Sequence, residues 1–435
     1  MAGGLGTRMR SSVPKHLHPL LGRRVVDWVL ESARGAGADP VVVVASPDTQ
    51  DAYEGVTVAV QQEPRGTGDA VASARDALAG FSGGVLVLDA AAPLLAAGHL
   101  QALVEEHARE HAQVTILSFE PERSLPYGRI VRGADGSVRS IVEERDASPA
   151  EREIRELNSS IYVFDAEPLW DALGKLDAHN AQGELYLTDT IARIVDGGGR
   201  AAAWVCPDEL APLGINTRAE LAVAAAVLRD RINEAHMLAG VTIVDPATTW
   251  IDAGVTVEPD AVVQPFTVLR GSTTVSARAE VGPHAVLVDA TVGEGAVVGP
   301  FCYLRPGTVL EVGSKAGTFV EIKKSRIGAR TKVPHLSYIG DADIGEDTNI
   351  AAGNVTANFS HDPARPKGRT VIGRNVRTGV DNTFVAPVTV GDDVWLWSGT
   401  VVTDDVPSGS LAGFPPKQVT KEGWVYKRGE QRDSD

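Results

Sequence analysis

A clock of six constrains this chain more than any other feature. Counting from Val257, every sixth residue is aliphatic through Val263, Leu269, Val275, Val281 and Leu287, with small, polar or acidic residues between them. The clock slips and restarts at Val292, Val298 and Leu304, at Ile327, Val333 and Ile339, and at Ile344 and Ile350. It restarts once more at Ile372, Thr378, Phe384, Val390, Leu396 and Val402. A period of six is neither the 3.6 of a helix nor the alternation of a strand. It predicts a solenoid in which each hexad makes one short strand and a corner, and three hexads close a triangular coil around the aliphatic residues. The fold expected here is a left-handed parallel β-helix of hexapeptide repeats.

The 435 residues leave room for a second domain with its own core. A net charge of -16 argues against nonspecific binding to nucleic acid or to an anionic membrane surface. Cys206 and Cys302 lack any metal-like spacing and read as reduced, buried thiols. No apolar run is long enough to span a bilayer, and the expected location is the cytoplasm.

The chain opens on Gly3-Gly4-Leu5-Gly6-Thr7-Arg8-Met9, followed by Pro14-Lys15. Glycines let backbone amides close on phosphate, while Arg8 and Lys15 add fixed positive charge. Beyond this loop, strand patterns at 40–46, 56–61, 85–89 and 113–119 alternate with helix patterns at 25–36, 69–79 and 98–111. That order predicts a Rossmann-like α/β domain. Gln61, Gly66 and Thr67 sit where a loop opens a helix, as a base-recognition loop should, and Thr67 also reads as a plain helix cap. A helix over 217–238, about 33 Å long at 1.5 Å per residue, links the two domains. The expected division is a nucleotidyltransferase domain over 1–216, a linker helix over 217–240, the β-helix over 241–410 and a tail over 411–435.

The glycine loop resembles the signature of sugar-nucleotide pyrophosphorylases. Tyr127-Gly128-Arg129, Ile141-Val142-Glu143-Glu144, Leu157-Asn158-Ser159-Ser160 and Gly214-Ile215-Asn216 resemble their sugar- and metal-binding segments. On the β-helix, Arg305-Pro306-Gly307, Phe319 to Lys324 and Pro334 to Gly340 resemble segments of one family in particular. It is the bacterial bifunctional N-acetylglucosamine-1-phosphate uridylyltransferase and glucosamine-1-phosphate N-acetyltransferase. The resemblance runs from residue 1 to about Trp424.

The resemblance implies a homotrimer that acetylates glucosamine 1-phosphate from acetyl-CoA, then joins the N-acetylglucosamine 1-phosphate to uridylate from UTP with Mg²⁺. It makes Arg8 and Lys15 catalytic in uridylyl transfer. Gly3, Gly4, Gln61, Gly66, Thr67, Gly128, Glu143 and Asn158 hold nucleotide and sugar, and Asn216 is a metal ligand. In the acetyl site His335 is the general base and Glu321 its orienting partner. Arg305, Lys323, Tyr338, Asn349 and Asn358 bind the sugar phosphate, and Ala352, Phe359, Val380 and Ser398 meet acetyl-CoA. The chemistry suits the residue types, because a sugar phosphate needs fixed cations and an attacking ammonium must first lose a proton to a base such as imidazole.

Several positions depart from the family. Ala91 stands where a magnesium-binding Asp belongs, and an alanine offers no oxygen to a hard cation. Asp89, two residues back on the same strand face, is the fallback ligand. Phe359 replaces a Tyr and Val380 a Ser, and Trp397, where the family has a small residue, reads equally as filling part of the carrier groove, as stacking on an acyl group or adenine, or as core at a subunit interface. The family's first strand, which precedes the glycine loop, is also missing, since Met1 already belongs to the loop. Either residues precede Met1 or the sheet lacks an interior strand, and the latter leaves unpaired backbone on its neighbours. Three readings stay open: an acetyltransferase with an impaired uridylyl domain, a paralogue acylating another amine, and a catalytically silent trimer that binds sugar nucleotide.

Overall fold

The computed structural model describes residues 1–426 apart from 5, 360, 361, 363, 365, 366, 415 and 416, so Leu5 of the glycine loop and part of the arm after Phe359 lie outside it. The chain forms two compact units, Met1–Leu228 and Arg229 onward, and the dividing point falls inside one helix, Arg218–Leu238.

In the first unit, α1 (Val25–Gly35) buries Val25, Val26, Val29 and Ala33 along one face, the stripe that a 3.6 period places together. It precedes β1 (Val42–Ala45) and β2 (Thr57–Val60), which pair in parallel as a two-stranded sheet. Next come α2 (Thr67–Ala72), β3 (Gly84–Val87), α3 (Ala97–Glu110) and β4 (Val114–Phe119). The sheet is less regular than an alternating pattern suggests, because β5 (Arg129–Arg132), β6 (Val138–Val142) and the nine-residue β7 (Leu157–Asp165) enter antiparallel. β7 also pairs with β3, while β8 (Ala201–Val205) pairs in parallel with β4. Near-complete burial of β4 and β7 explains their apolar runs.

The second unit is a parallel β-helix whose three faces carry six, nine and eight strands. All the clocked positions point inward: Val263, Leu269, Val281, Leu287, Val292 and Leu304 are fully buried, and even Thr378 is only 8% exposed. Two residues before each aliphatic residue the space is small. Ala261, Ala279, Ala285 and Ala296 fill it with a methyl, and Cys302 fills it with a thiol that burial pushes up to about 12. Thr267, Thr273 and Thr308 fill it with hydroxyls that donate to the carbonyl three residues back, so these three hydroxyls are paired. Coil length alternates: Leu269 pairs with Leu287, Leu287 with Leu304 and Leu304 with Ile322. Removing one residue from a coil while keeping its register is what makes the clock slip.

One corner of this prism repeats the left-handed backbone. Phe266, His284, Phe301, Phe319 and Leu336 hold φ of 58°, 53°, 52°, 56° and 47° there. Such conformations cost roughly 1–2 kcal/mol each for residues with a Cβ. Ring stacking offsets part of this, with centroids 4.6, 4.8 and 5.3 Å apart from Phe266 through His284 and Phe301 to Phe319. The ladder's spacing of 17 and 18 residues was present in the sequence but coincides with the coil length, so it stood out only once the coils were stacked.

Candidate functional site

In the first unit, the loop after β8 and the glycine loop converge on one polar cluster. Asn216 Oδ1 accepts from Arg8 Nη2 at 2.9 Å and from Lys15 Nζ at 3.4 Å, and Lys15 Nζ lies 3.5 Å from Asp89 Oδ2. Asp89 is therefore beside Asn216 in space, bridged to it by the Lys15 ammonium. Its Oδ1 accepts the Ala91 amide at 3.0 Å. Burial pushes the Asp89 carboxyl up, but the Lys15 ammonium, the Ala91 amide and the N-terminal ammonium together outweigh it, and the group ends below the usual carboxylate range.

This donor set does not fit a resident Mg²⁺. It offers one carboxylate and one amide oxygen, and Lys15 already sits between them where a cation would go. No cluster of three or more His, Cys, Asp or Glu is placed to hold a metal among the described residues. The Ala91 methyl is fully buried in the cluster of Met9, Leu20, Val25, Leu94 and Ile215, and its carbonyl accepts the Ile215 amide at 2.8 Å. Ala91 thus abuts the Gly214–Asn216 turn.

Two further groups adjoin. Gln61 is buried and donates to Gly66 O at 3.1 Å and Asp69 Oδ2 at 2.9 Å, and a Cβ on Gly3 would meet its Oε1 at 2.6 Å. Gly3 is needed for that approach. Gly66 holds φ 120° against Leu185 O, and Thr67 Oγ1 accepts the Leu187 amide at 3.0 Å, so Thr67 ties its loop to the 185–188 segment and does not cap its own helix. On the sugar side, the Asn158 amide donates to Gly128 O at 2.8 Å and its Nδ2 to Tyr162 OH at 2.9 Å. Thr188 donates to Glu143 Oε1 at 3.0 Å, and burial still pushes the Glu143 carboxyl up. The Tyr127 hydroxyl accepts the Gly214 amide at 3.3 Å and so joins this group to the Asn216 cluster, a link that no motif had flagged. Gly4 is exposed, with nothing near its Cβ position.

On the β-helix, register does the assembling. Tyr303, Glu321, Tyr338 and Val355 pair in one column of the nine-stranded face. Arg305 Nη1 donates to Glu321 Oε1 at 2.8 Å, and Lys323 stands opposite Gly340. The structure corrects the expectation for Glu321: its carboxylate is engaged by Arg305, and the His335 ring makes no hydrogen bond among the described residues. Arginine, one coil below, is the nearer strong donor, so the ion pair forms there. A Cβ on Gly340 would meet Tyr338 Oη at 2.5 Å and Asn358 Nδ2 at 2.8 Å, which places those side chains over one glycine. Asn358 is buried, donates to Asp341, and its carbonyl takes the Gly368 amide at 3.0 Å, closing the arm. Phe359 is 68% exposed at the start of that arm.

His335 belongs to a second arrangement. Lys332 bridges Asn349, Asn349 bridges Arg377, and Arg377 bridges Trp395. Three residues on, each coil reaches the same corner, so His335, Ala352, Val380 and Ser398 form one file up the edge of the prism. Close approach is built in, since a Cβ on Gly379 would meet Ser398 N at 2.4 Å. At about 4.8 Å per coil the file is roughly 14 Å long. Val380, Ser398 and Trp397 are exposed along it. Asn349 lies on the face below the file as a ladder residue, away from the Arg305 column.

A MobA-like NTP transferase domain profile matches residues 1–175. Proteins named "Bifunctional protein GlmU" are similar along nearly the whole chain. That of Mycolicibacterium vanbaalenii is 46% identical, covering 98% of this chain and 92% of its own length. That of Streptomyces griseus is 47% identical, covering 98% and 93%. That of Corynebacterium efficiens is 44% identical, covering 98% and 93%. With the glycine-loop cluster, the parallel β-helix and the corner file all present in one chain, this protein belongs to the bifunctional GlmU family.

Proposed function

We propose that the β-helix transfers the acetyl group of acetyl-CoA to the amine of glucosamine 1-phosphate, and that the first unit transfers uridylate from UTP to N-acetylglucosamine 1-phosphate, giving UDP-N-acetylglucosamine. The observation that carries the acetyl half is the corner file: His335 stands at one end of a line through half-buried Ala352 and exposed Val380 and Ser398, a track suited to an extended acyl carrier. Arg305, Lys323 and Tyr338 face the neighbouring column and suit a phosphorylated sugar.

In this reading the His335 imidazole takes a proton from the substrate ammonium. The freed amine attacks the thioester carbonyl, the C–S bond breaks, and the CoA thiolate leaves with a proton. Glu321 acts through Arg305, fixing the guanidinium for phosphate. The site is half-open on one coil, and we propose a homotrimer in which a second copy completes it.

For uridylyl transfer, Arg8 and Lys15 stabilise the charge that develops as a phosphate oxygen of the sugar attacks the α-phosphorus and pyrophosphate departs. The single carboxylate at Asp89 and the alanine at 91 leave this half impaired. Both cysteines are buried and unpaired, and no helix among the described residues is long and apolar enough to cross a membrane, which suits a cytoplasmic enzyme.

Two product assays test the proposal: free CoA from acetyl-CoA with glucosamine 1-phosphate, and pyrophosphate from UTP with N-acetylglucosamine 1-phosphate and Mg²⁺. CoA release far above pyrophosphate release is expected. Absence of CoA release would overturn the acetyl reading.

A further inference from the structure

On the face of the prism that carries Lys332 and Asn349, each coil sets one side chain outward just before its buried residue and one just after it. The column formed by the later positions is almost bare. Gly282, Gly299, Gly317, Pro334, Ala351 and Gly379 follow one another in it, coil upon coil. A Cβ on Gly299 would meet Gly282 O at 2.6 Å, and one on Gly379 would meet the carbonyl carbon of Trp397 at 2.6 Å, so these glycines leave a flat floor. Trp397 stands at the end of that floor and is the first large side chain on it.

Trp395 faces outward two residues earlier, so two indoles flank buried Leu396, and they are 63% and 42% exposed. Neither ring stacks on a neighbour or donates a hydrogen bond among the described residues. At 3.3 Å per residue the two positions are roughly 6.6 Å apart. A flat ring held at a carbon contact distance of about 3.5 Å on both sides needs roughly 7 Å, so the pair is spaced to take one such ring between them. Arg377 lies directly below Trp395. Its Nη1 donates to the carbonyls of Asp347 and Val376, which leaves Nε and Nη2 without a partner among the described residues. Below Arg377 the same column continues through Asn349, Lys332 and Lys315 with no carboxylate, on a chain of net charge -16. A purely apolar partner over the indoles would strip water from the guanidinium and give it nothing in return, whereas a phosphate would pair with it.

We propose that Trp395, Trp397 and Arg377 form a nucleotide clip for the adenosine end of the acyl carrier, with the purine between the two indoles and a phosphate on Arg377. Length selects this occupant. The pantetheine arm of CoA has about the chain length of four residues and so spans roughly 14 Å. The file from His335 to Ser398 is also roughly 14 Å long, and Trp397 is the residue next to Ser398. With its thioester at His335, the arm runs out where the indoles begin. The inference rests on the file being the carrier track, and it adds what holds the other end of the carrier.

The test compares two acetyl donors on the full chain, acetyl-CoA and acetyl-pantetheine, which lacks the nucleotide. The variants are Trp395→Ala, Trp397→Ala, Arg377→Ala and the conservative Trp397→Tyr. Each alanine variant is expected to raise KM for acetyl-CoA about tenfold or more, with kcat within about twofold and KM for acetyl-pantetheine unchanged, while Trp397→Tyr stays near the wild type. Calorimetric titration with adenosine 3′,5′-bisphosphate is expected to show binding that the alanine variants weaken about tenfold, with UMP binding the same in all forms. An equal rise in KM for both donors, or bisphosphate affinity untouched by the substitutions, overturns the clip. So does a lower sedimentation coefficient of the tryptophan variants, which would make the indoles a contact between copies of the chain. Failure of the wild type to release thiol from either donor would count against the acetyl reading alone, because the bisphosphate titration involves no acyl transfer and still decides whether the clip exists.

Discussion

Substituting Ala91→Asp tests whether one missing carboxylate limits the uridylyl half. The methyl of Ala91 is fully buried among Met9, Ile215 and their neighbours, so a carboxylate placed there loses its water. An uncompensated buried ion costs several kcal/mol, a large part of the 5–15 kcal/mol that holds a domain folded. Lys15, the cation between these groups, is already shared between Asp89 and Asn216, and Arg8 is engaged by Asn216. Without metal, A91D should therefore unfold at a lower temperature than the wild type. With Mg²⁺ the gap should narrow, because three oxygens from positions 89, 91 and 216 then surround one ion. At a hundredfold excess over its dissociation constant an ion adds about 2.7 kcal/mol. For a unit of this size that is roughly 5–11 °C. The assay is thermal unfolding with 10 mM Mg²⁺ against chelator, for the wild type, A91D and A91N, with pyrophosphate release measured on the same samples. The wild type should show no magnesium-dependent shift and A91D a clear one, with a gain in pyrophosphate release. A wild type that shifts as far as A91D, or an A91D that shifts without gaining activity, refutes the claim that this ligand limits the reaction.

Three other outcomes follow from the geometry. His335→Gln should lower kcat for CoA release by about 10²- to 10⁴-fold while leaving the thermal midpoint unchanged, since the ring is exposed and unbonded among the described residues. Val380→Trp, which fills the corner file between Ala352 and Ser398, should raise KM for acetyl-CoA at least tenfold and leave KM for glucosamine 1-phosphate within about twofold. His16 is buried against Tyr53, and burial, with Lys15 beside it, lowers its pKa from 6.5 to about 4. The unfolded chain therefore binds this proton more readily than the folded one. The associated stability, on the order of 3 kcal/mol, is fully present above pH 6.5 and lost as the pH falls towards 4. Unfolding midpoints across that window should drop for the wild type and flatten for His16→Asn.

The sequence by itself determined the elements whose signal is local. A period of six dictates a three-sided coil because each hexad carries its own strand, corner and inward side chain, and the clocked residues from Val257 to Val402 are buried accordingly. The stripe of α1 and the glycine-loop cluster of Arg8, Lys15 and Asn216 were legible for the same reason, each resting on a short motif with its own chemistry. Tertiary structure decided what depends on stacking distant coils. His335, Ala352, Val380 and Ser398 lie at unequal intervals, because coils differ by one residue and an arm interrupts one of them, so their alignment exists only in the register. It also turned Glu321 onto Arg305, sank the Ala91 methyl into a core, and left β1 and β3 facing each other across a cavity. Each of these is a contest between neighbours for the same space or charge, and which neighbours meet is a property of the folded chain.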